Sequence, residues 1–210
     1  MNDPEQVSHK DFFNEMANTW DEKYCTGELL SFLDKFVPEF GLEFGQKILD
    51  VGTGTGILIP FLLKTIGPIG SITAIDYAEK MVEKCREKYS RLHNVVIQRQ
   101  DVENMDLPSE SFDAITCFGL FPHIENKEKA LYQMNRVLKP SGKLIIAHAL
   151  SSIEIKNHHY KSSPIVINDV LPEESEMKQL LIKSGFNGIS IEDEPGCYLC
   201  ASIKTTREIF

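Results

Sequence analysis

The chain has 210 residues and a mass of 23.8 kDa, which suits one domain built around a single sheet core. Its apolar content of 42% and charged content of 25% are ordinary for a globular protein, and no apolar run reaches the roughly 18 residues that a membrane helix needs. The formal net charge of −9, with no cluster of lysine and arginine, weighs against nucleic acid and favours a small-molecule partner.

The cysteines and the N-terminal residues predict the compartment. The five cysteines are scattered and odd in number, which favours reduced thiols over a disulfide framework: Cys25, Cys85, Cys117, Cys197 and Cys200. No basic and apolar leader opens the sequence. We therefore expect a cytoplasmic protein that has no membrane partner.

Residues 1–45 are expected to form helices that cover a site. The first predicted helix runs from His9 to Tyr24 and places Phe12, Phe13 and Trp20 close to one face. Such an aromatic stripe serves either core packing or ligand contact, and the spacing leaves both open. A second helix is predicted over Glu28–Phe40.

A glycine-rich turn is the main functional signal. Lys47–Val51 reads as a buried parallel strand, and Asp50 opens the pattern D-x-G-x-G-x-G before a helix that starts at Ile57. A dinucleotide fingerprint would need glycine where Ile57 stands. Asp76 ends the next strand, twenty residues beyond Gly56, where a carboxylate can accept from both hydroxyls of a ribose.

The remaining elements alternate between strands and helices. Three more strands are predicted over Val95–Gln98, Ala114–Phe118 and Lys143–Ala147, the last of them after a turn at Lys139–Gly142. Residues 151–171 break the rhythm and are expected to form a lid loop. The chain is expected to close with an antiparallel hairpin of Gly188–Ile191 and Cys197–Ile203.

These motifs, with Leu107-Pro…Ser-Phe-Asp113 and Arg136-Val-Leu-Lys-Pro-Ser-Gly142, resemble the class I S-adenosylmethionine (SAM) dependent methyltransferases. Within that family, the chain is similar to the small-molecule branch related to ubiquinone and menaquinone biosynthesis. The resemblance spans residues 12–203. It implies a doubly wound α/β fold with seven mostly parallel strands and a C-terminal antiparallel hairpin, with SAM as cofactor and S-adenosylhomocysteine as product. Those quinone enzymes usually carry an Arg-Asn pair after strand four, where this chain has Phe121-Pro122-His123.

The expected site follows from the family resemblance and from the residues at the carboxyl ends of the predicted strands. The donor side is expected at Asp50, Gly52, Thr53, Gly54, Asp76, Tyr77, Met81, Asp101, Val102, Cys117 and Phe118. The acceptor side is expected at Trp20, Tyr24, His123, His148, His158, His159 and Tyr160.

His158 and His159 either serve the site from a lid or form a solvent-exposed pair. Three more residues have two interpretations each. Asp50 either accepts from the amino group of the donor or orders the turn. Asp101 either meets the adenine amino group, as the resemblance implies, or caps the following turn. His123 is the candidate catalytic base or orienting group, and the alternative is a bystander.

Other chemistries are weighed against methyl transfer. Cys197 and Cys200 have C-x-x-C spacing, but on a strand they point to opposite faces, so we predict no metal site, although a looser cluster of His148, His158 and His159 is left open. The rival functions are a non-catalytic SAM-binding module and a nicotinamide-dependent oxidoreductase. The sequence specifies neither the acceptor nor the oligomeric state.

Overall fold

The computed structural model describes residues 8–206 and contains one seven-stranded sheet. The strands are β1 (Lys47–Val51), β2 (Ser71–Asp76), β3 (Val95–Arg99), β4 (Phe112–Phe118), β5 (Leu138–His148), β6 (Phe186–Glu194) and β7 (Cys197–Lys204). Their order across the sheet is β3-β2-β1-β4-β5-β7-β6, and β7 is antiparallel to both of its neighbours, whereas β1 to β5 pair in parallel. The predicted fold class is confirmed.

Eight helices in the described range cover the sheet. They are α1 (His9–Met16), α2 (Trp20–Tyr24), α3 (Gly27–Phe36), α4 (Ile59–Ile66), α5 (Glu79–Tyr89), α6 (Lys127–Val137), α7 (Ser152–Ser162) and α8 (Glu174–Lys183). Short 3₁₀ helices span Val37–Phe40, Val102–Asn104 and Phe121–His123. None of the helices between residues 8 and 206 has the length and apolar character to cross a bilayer.

Burial on both faces explains why β1 lies at the centre of the sheet. Leu49 and Val51 pack into a core with α6 and α8, while Ile48 packs into a second core with α3, α4 and α5. All three side chains are fully buried or nearly so. A continuous apolar run is the pattern expected of a parallel strand with helices on both sides.

The segment predicted as a loop over residues 151–171 contains a helix, so that part of the prediction is wrong. The Ser151 hydroxyl accepts from the Glu154 main-chain N–H at 3.3 Å, and the Glu154 carboxylate accepts from the Ser151 N–H at 2.8 Å. This capping box starts α7, and its S-x-x-E motif can be recognised in the sequence. Residues 163–173 then continue without a helix or strand.

The predicted turn at Lys139–Gly142 instead lies inside β5. Ser141 has φ +61° and takes the left-handed conformation, whereas Gly142 does not. Gly142 is needed for space, because a Cβ there would lie 2.9 Å from the Lys139 carbonyl oxygen. The pairing of β4 with β5 shifts register between Phe112 and Ala114, which absorbs the irregular stretch.

The N-terminal prediction needs a smaller correction. The single helix expected from His9 to Tyr24 is broken into α1 and α2, and Thr19 at the break donates its N–H to the Met16 carbonyl. The division of residues 1–210 into one domain stays a prediction, and residues 1–7 and 207–210 lie outside the described range.

Candidate functional site

Two adjoining cavities lie at the carboxyl ends of the parallel strands, where open α/β sheets hold their ligands. The first, here called the donor cleft, is lined by His9, Val51, Gly52, Ile75, Asp76, Tyr77, Gln100, Asp101, Val102, Glu103, Leu120, His123, Ile124 and Glu125. The second, here called the aromatic chamber, has a volume of about 270 Å³. Five residues line both cavities: Gly52, Asp76, Tyr77, Leu120 and His123.

The walls of the aromatic chamber come from several parts of the fold. Its lining is Phe12, Phe13, Trp20, Tyr24, Cys25, Leu29, Gly52, Thr53, Gly54, Ile57, Asp76, Tyr77, Met81, Phe118, Gly119, Leu120, His123, His148, Ala149, Leu150, Ile155, His158, His159, Ser162 and Val166. The N-terminal helices, the glycine turn, the loop after β4 and the α7 region each contribute. No lysine or arginine occurs among these described lining residues.

The glycine turn is held against the end of β2 by its own backbone. The N–H groups of Gly52 and Thr53 both donate to the Ile75 carbonyl, at 2.8 and 2.9 Å. Gly52 has φ +69° and Gly54 has φ +54°, values that glycine adopts without strain. A Cβ at Gly54 would meet nothing within 4 Å, so this backbone lies beside open space.

Asp76 joins the turn to the start of α5. One carboxylate oxygen accepts from the Gly54 N–H at 2.9 Å, and the other accepts from the Ala78 N–H at 2.8 Å. Burial raises the pKa of Asp76 to about 6, although these backbone hydrogen bonds act in the opposite direction. A carboxylate has about four lone-pair sites, so Asp76 retains acceptor capacity towards both cavities that it lines.

Asp50 lies behind the turn and is 2% exposed. One of its oxygens accepts from the Thr116 hydroxyl at 2.7 Å, and the other, Oδ2, is buried without a hydrogen-bond partner. Burial raises its pKa to about 6, and the negative charge of Asp76 adds to the increase. A buried acceptor without a donor is costly, so Asp50 is suited to a ligand donor or to a proton.

These features fit a nucleoside-based sulfonium donor such as SAM. The unpaired Asp50 oxygen and the open space beside Gly54 match an ammonium group near the turn. Asp76 at the end of β2 matches a ribose. The donor cleft continues from Asp76 to Asp101 and Val102, where the adenine end is expected. Asp101 also caps the following 3₁₀ helix by accepting from the Glu103 N–H at 2.9 Å, so the capping interpretation is confirmed and the adenine role stays a prediction.

The N-terminal helices form the roof of the aromatic chamber. Phe13 packs edge-on against Trp20, Tyr77 and His123, with ring centroids 5.8, 6.5 and 5.2 Å away. Below them, Asp21 on α2 accepts from the Thr55 hydroxyl of the glycine turn and from the Lys88 ammonium group of α5, at 2.5 and 2.7 Å. Asp21 therefore links α2, which is part of the roof, to the glycine turn by a hydrogen bond.

His123 stands at the junction of the two cavities. Its Nδ1 lies 2.6 Å from a carboxylate oxygen of Asp169, and its ring lies 4.8 Å from that of His159. The loop that carries it is fixed by Lys127, whose ammonium group donates to the carbonyls of Pro122 and Ile124, at 3.2 and 2.8 Å. The structure thus holds His123 where the two cavities adjoin.

His148 at the end of β5 is a second buried histidine of the chamber. It is 7% exposed, and its Nε2 is buried without a hydrogen-bond partner. Burial lowers its pKa to about 3, with smaller contributions from His123 and His159, so this imidazole is neutral. A neutral ring in this position can take one hydrogen bond from a ligand, but it does not supply positive charge.

Three of the expected site residues lie away from both cavities. Asp50 lies behind the turn, as described above, and its role stays a prediction. Cys117 is a wrong assignment: it is 1% exposed and packs in the core beside Ile115, because it points to the opposite face of β4 from Phe118. Tyr160 is also wrong, since it is 73% exposed on α7, whereas His159 next to it is buried.

The other expected residues line at least one cavity, and their roles stay predictions. They are Gly52, Thr53, Gly54, Asp76, Tyr77, Met81, Asp101, Val102 and Phe118 on the donor side, and Trp20, Tyr24, His123, His148, His158 and His159 on the acceptor side. Cys197 and Cys200 belong to different cores on opposite faces of the sheet, as expected. Within residues 8–206, no three His, Cys, Asp or Glu side chains are arranged to hold a metal ion.

Several residues that line or support the site were not predicted from the sequence. Leu120 separates the cavities and lies so close to Gly52 that a Cβ there would come within 2.6 Å of it. Its position directly after β4 is a signal that could have identified it. His9 and Asp169 carry no local motif, and their contribution depends on contacts across 160 positions of sequence.

Comparison with known proteins agrees with this site. Residues 49–146 match a family model described as a methyltransferase domain. Demethylmenaquinone methyltransferase of Staphylococcus aureus is 38% identical over 112 residues, which are 53% of this chain and 46% of that enzyme. The chain therefore spans about half the length of the curated relatives that it matches.

Solved structures extend the likeness to almost the whole chain. A SAM-dependent methyltransferase from Aquifex aeolicus has a TM-score of 0.71 at 28% identity, with 90% of this chain and 97% of that chain covered. A protein from Methanococcus maripaludis has a TM-score of 0.73 over 100% of this chain and 99% of that chain, and its 19% identity supports the fold alone.

The sheet order, the glycine turn and the two carboxylates define a domain of the class I methyltransferase fold. Residues 49–146 match a methyltransferase domain, and the described chain has the class I methyltransferase fold. SAM is the cofactor that this fold and these matches imply.

Proposed function

We propose that this chain transfers the methyl group of SAM to a small-molecule acceptor held in the aromatic chamber. The observation that carries the proposal is the pair of buried carboxylates, Asp50 and Asp76, around a glycine turn that borders both cavities. When bound, SAM supplies a methyl group on a positively charged sulfur that an acceptor attacks in line. The chain itself has to align the two molecules, exclude water and accept a proton where the acceptor carries one.

Each part of the site has a role in this proposal. Asp76 binds the ribose, Asp101 and Val102 contact the adenine, and Asp50 accepts from the amino group or orders the turn. The aromatic roof of Phe13, Trp20 and Tyr24 keeps water out. Such alignment contributes about 7–11 kcal/mol in well-oriented reactions, so most of the rate enhancement comes from positioning.

The chamber supports an uncharged or cationic small acceptor over an anionic one. Asp76 is the one acid among its described lining residues, no lysine or arginine lines it, and the histidine His148 stays neutral. A carboxylate or phosphate group there would lose its hydration without a lysine or arginine to replace it. The enclosed shape and the net charge of −9 also favour a small molecule over nucleic acid.

The quinone relatives do not settle the acceptor. The Staphylococcus aureus relative is named for demethylmenaquinone, but in this chain Phe121-Pro122-His123 stands where those enzymes usually carry an Arg-Asn pair. We therefore propose a small acceptor and do not name a quinone. The odd number of cysteines supports placing this reaction in the cytoplasm, and α7 with residues 163–173 is proposed as the lid.

The proposal is tested by calorimetric titration with SAM and S-adenosylhomocysteine. We expect the wild type to bind both, and Asp76→Ala to bind about 10- to 100-fold more weakly, because hydrogen bonds to a charged group contribute about 1.5–3 kcal/mol. Asp34→Ala is the matched control, since this exposed carboxylate pairs with Lys64 away from both cavities.

Three results would count against the proposal or limit it. Well-folded wild type that binds neither ligand contradicts it. Binding of both ligands without turnover over a broad panel of phenols, thiols and amines favours the non-catalytic SAM-binding module instead. Oxidation of a reduced nicotinamide cofactor, followed by absorbance, would favour the oxidoreductase, for which Ile57 in place of glycine is the unfavourable feature.

A further inference from the structure

Asp169 gathers three histidines at the edge of the aromatic chamber. One of its carboxylate oxygens, Oδ2, lies 2.6 Å from His123 Nδ1 and 2.8 Å from His9 Nε2. Its main-chain oxygen lies 2.6 Å from His159 Nδ1. These histidines come from the loop after β4, from α1 and from α7, so a single residue of the segment 163–173 meets three separate parts of the site.

The chemistry of these contacts fixes which ring nitrogens carry protons. Burial raises the pKa of Asp169, but the hydrogen bonds and charges of His123 and His9 outweigh burial and hold that pKa below its usual range. An ionised carboxylate and a carbonyl oxygen can only accept hydrogen bonds. His123 and His159 must therefore donate from Nδ1, and in a neutral imidazole Nε2 is then left with a free lone pair.

The surroundings of His123 hold that orientation. The side chains of His123 and Asp169 are only 11% and 12% exposed. Phe13 packs edge-on against the imidazole at 5.2 Å, and His159 lies against it at 4.8 Å. His123 also lines both cavities, and its unprotonated nitrogen belongs to the ring edge that Asp169 does not occupy.

We propose that Asp169 is the positioning residue that makes His123 the general base of this enzyme. The inference rests on the proposed methyl transfer and adds the acceptor class, a small molecule whose attacking atom carries a proton. As the bond forms between that atom and the methyl carbon, the carbon–sulfur bond breaks and its electron pair stays on sulfur. The proton of the acceptor passes to His123 Nε2, and the resulting imidazolium is stabilised by the Asp169 carboxylate.

The same carboxylate also connects the base to the roof. His9 of α1 donates to the oxygen that orients His123, so α1 and the segment after α7 are tied together where the base is set. The base thus has its orientation only when roof and lid segment are both in place. An acceptor that enters before closure would meet a histidine whose tautomer is not yet fixed.

The test uses histidine ring nitrogens observed by long-range proton–nitrogen NMR. Full-length protein labelled with ¹⁵N-histidine is saturated with S-adenosylhomocysteine at pH 8, and the His123 signals are assigned as those missing from His123→Gln. We expect His123 of the wild type to hold its proton on Nδ1. Asp169→Ala should move it towards Nε2, and Asp169→Asn, which keeps an acceptor oxygen, should restore part of the wild-type pattern. Asp34→Ala should leave the pattern unchanged.

Turnover supplies the second readout once the screen has yielded an acceptor. General-base catalysis typically contributes about 10²–10⁴-fold. We therefore expect kcat of His123→Gln to fall by about that factor, and kcat of Asp169→Ala to fall at least about tenfold, with KM for SAM changed little in both variants.

Calorimetry with S-adenosylhomocysteine separates the two claims. If the wild type does not bind this ligand, the proposed function itself fails. If binding is intact but His123 carries its proton on Nε2 in the wild type, or keeps the same tautomer in Asp169→Ala, the positioning role is overturned while the donor site stands.

Discussion

Asp50 gives the sharpest test of how the donor site is built, because its charge is disfavoured in the ligand-free protein. The substitution Asp50→Asn removes that charge and keeps an oxygen that can accept from the Thr116 hydroxyl, which lies 2.7 Å away in the wild type. The side chain is 2% exposed, and its second oxygen has no hydrogen-bond partner. Asparagine is therefore expected to fold well and to bind SAM poorly.

The magnitude follows from the pKa of Asp50, which burial raises from 3.8 to about 6. In this range the folded state binds more protons than the unfolded state, so this carboxyl lowers stability as pH rises from about 4 through about 6. At pH 7.5, a shift of roughly 2 units corresponds to a penalty of about 3 kcal/mol, and at pH 4.5 the penalty is about 1 kcal/mol. Leaving the buried amide unpaired costs about 1–3 kcal/mol, but that cost does not depend on pH.

The assay is urea unfolding of wild type and Asp50→Asn without SAM at pH 7.5 and pH 4.5. We expect the stability of the variant relative to the wild type to be about 2 kcal/mol more favourable at pH 7.5 than at pH 4.5. A relative stability that is the same at both pH values, or that is less favourable at pH 7.5, would refute the reasoning about the buried charge.

Two further substitutions test the turn and the start of α7. Gly52→Ala puts a side chain on a left-handed residue and brings its Cβ within 2.6 Å of Leu120, so calorimetry should detect at least a tenfold loss of SAM affinity. The control is Gly196→Ala, where φ is +81° but no atom lies within 4 Å of the added Cβ, and it should keep the affinity. Equal losses in the two variants would contradict the steric argument. Ser151→Ala removes the N-cap of α7 and should lower the free energy of unfolding by about 1 kcal/mol, with faster amide hydrogen exchange over residues 152–162. Unchanged exchange over these residues would show that the cap does not stabilise the helix.

The glycine turn and the two carboxylates beside it could be located from the sequence because their signals are local. β1 begins and ends at the residues expected, since its apolar run is bounded by a charged residue and by Gly52. The acids that matter stand at fixed places, one near the end of β1 and one at the end of β2, where the fold itself sets their neighbours. The error at Cys117 was avoidable, because strand alternation sends that side chain to the opposite face from Phe118.

The contacts that hold His123 could not be predicted, because they are long-range. Asp169 is separated from His123 by 46 positions and from His9 by 160, and nothing around it in the sequence marks it. α7 was missed for another reason: its apolar residues do not form a clear stripe, and only the cap of Ser151 with Glu154 indicated a helix. Apolar residues recur at helical spacing in a helix that packs on a core. α7 lines a cavity instead, so its sequence does not show that spacing.

The proposed function requires that SAM lies across the glycine turn with its methyl group facing the aromatic chamber. The most direct measurement is the set of nuclear Overhauser contacts from SAM labelled with ¹³C in the transferred methyl, bound to the wild-type protein. We expect contacts from this methyl to the side chains of His123 and Phe118, both of which line the chamber. Bound SAM whose methyl contacts only the Asp101 and Val102 end of the donor cleft would contradict it.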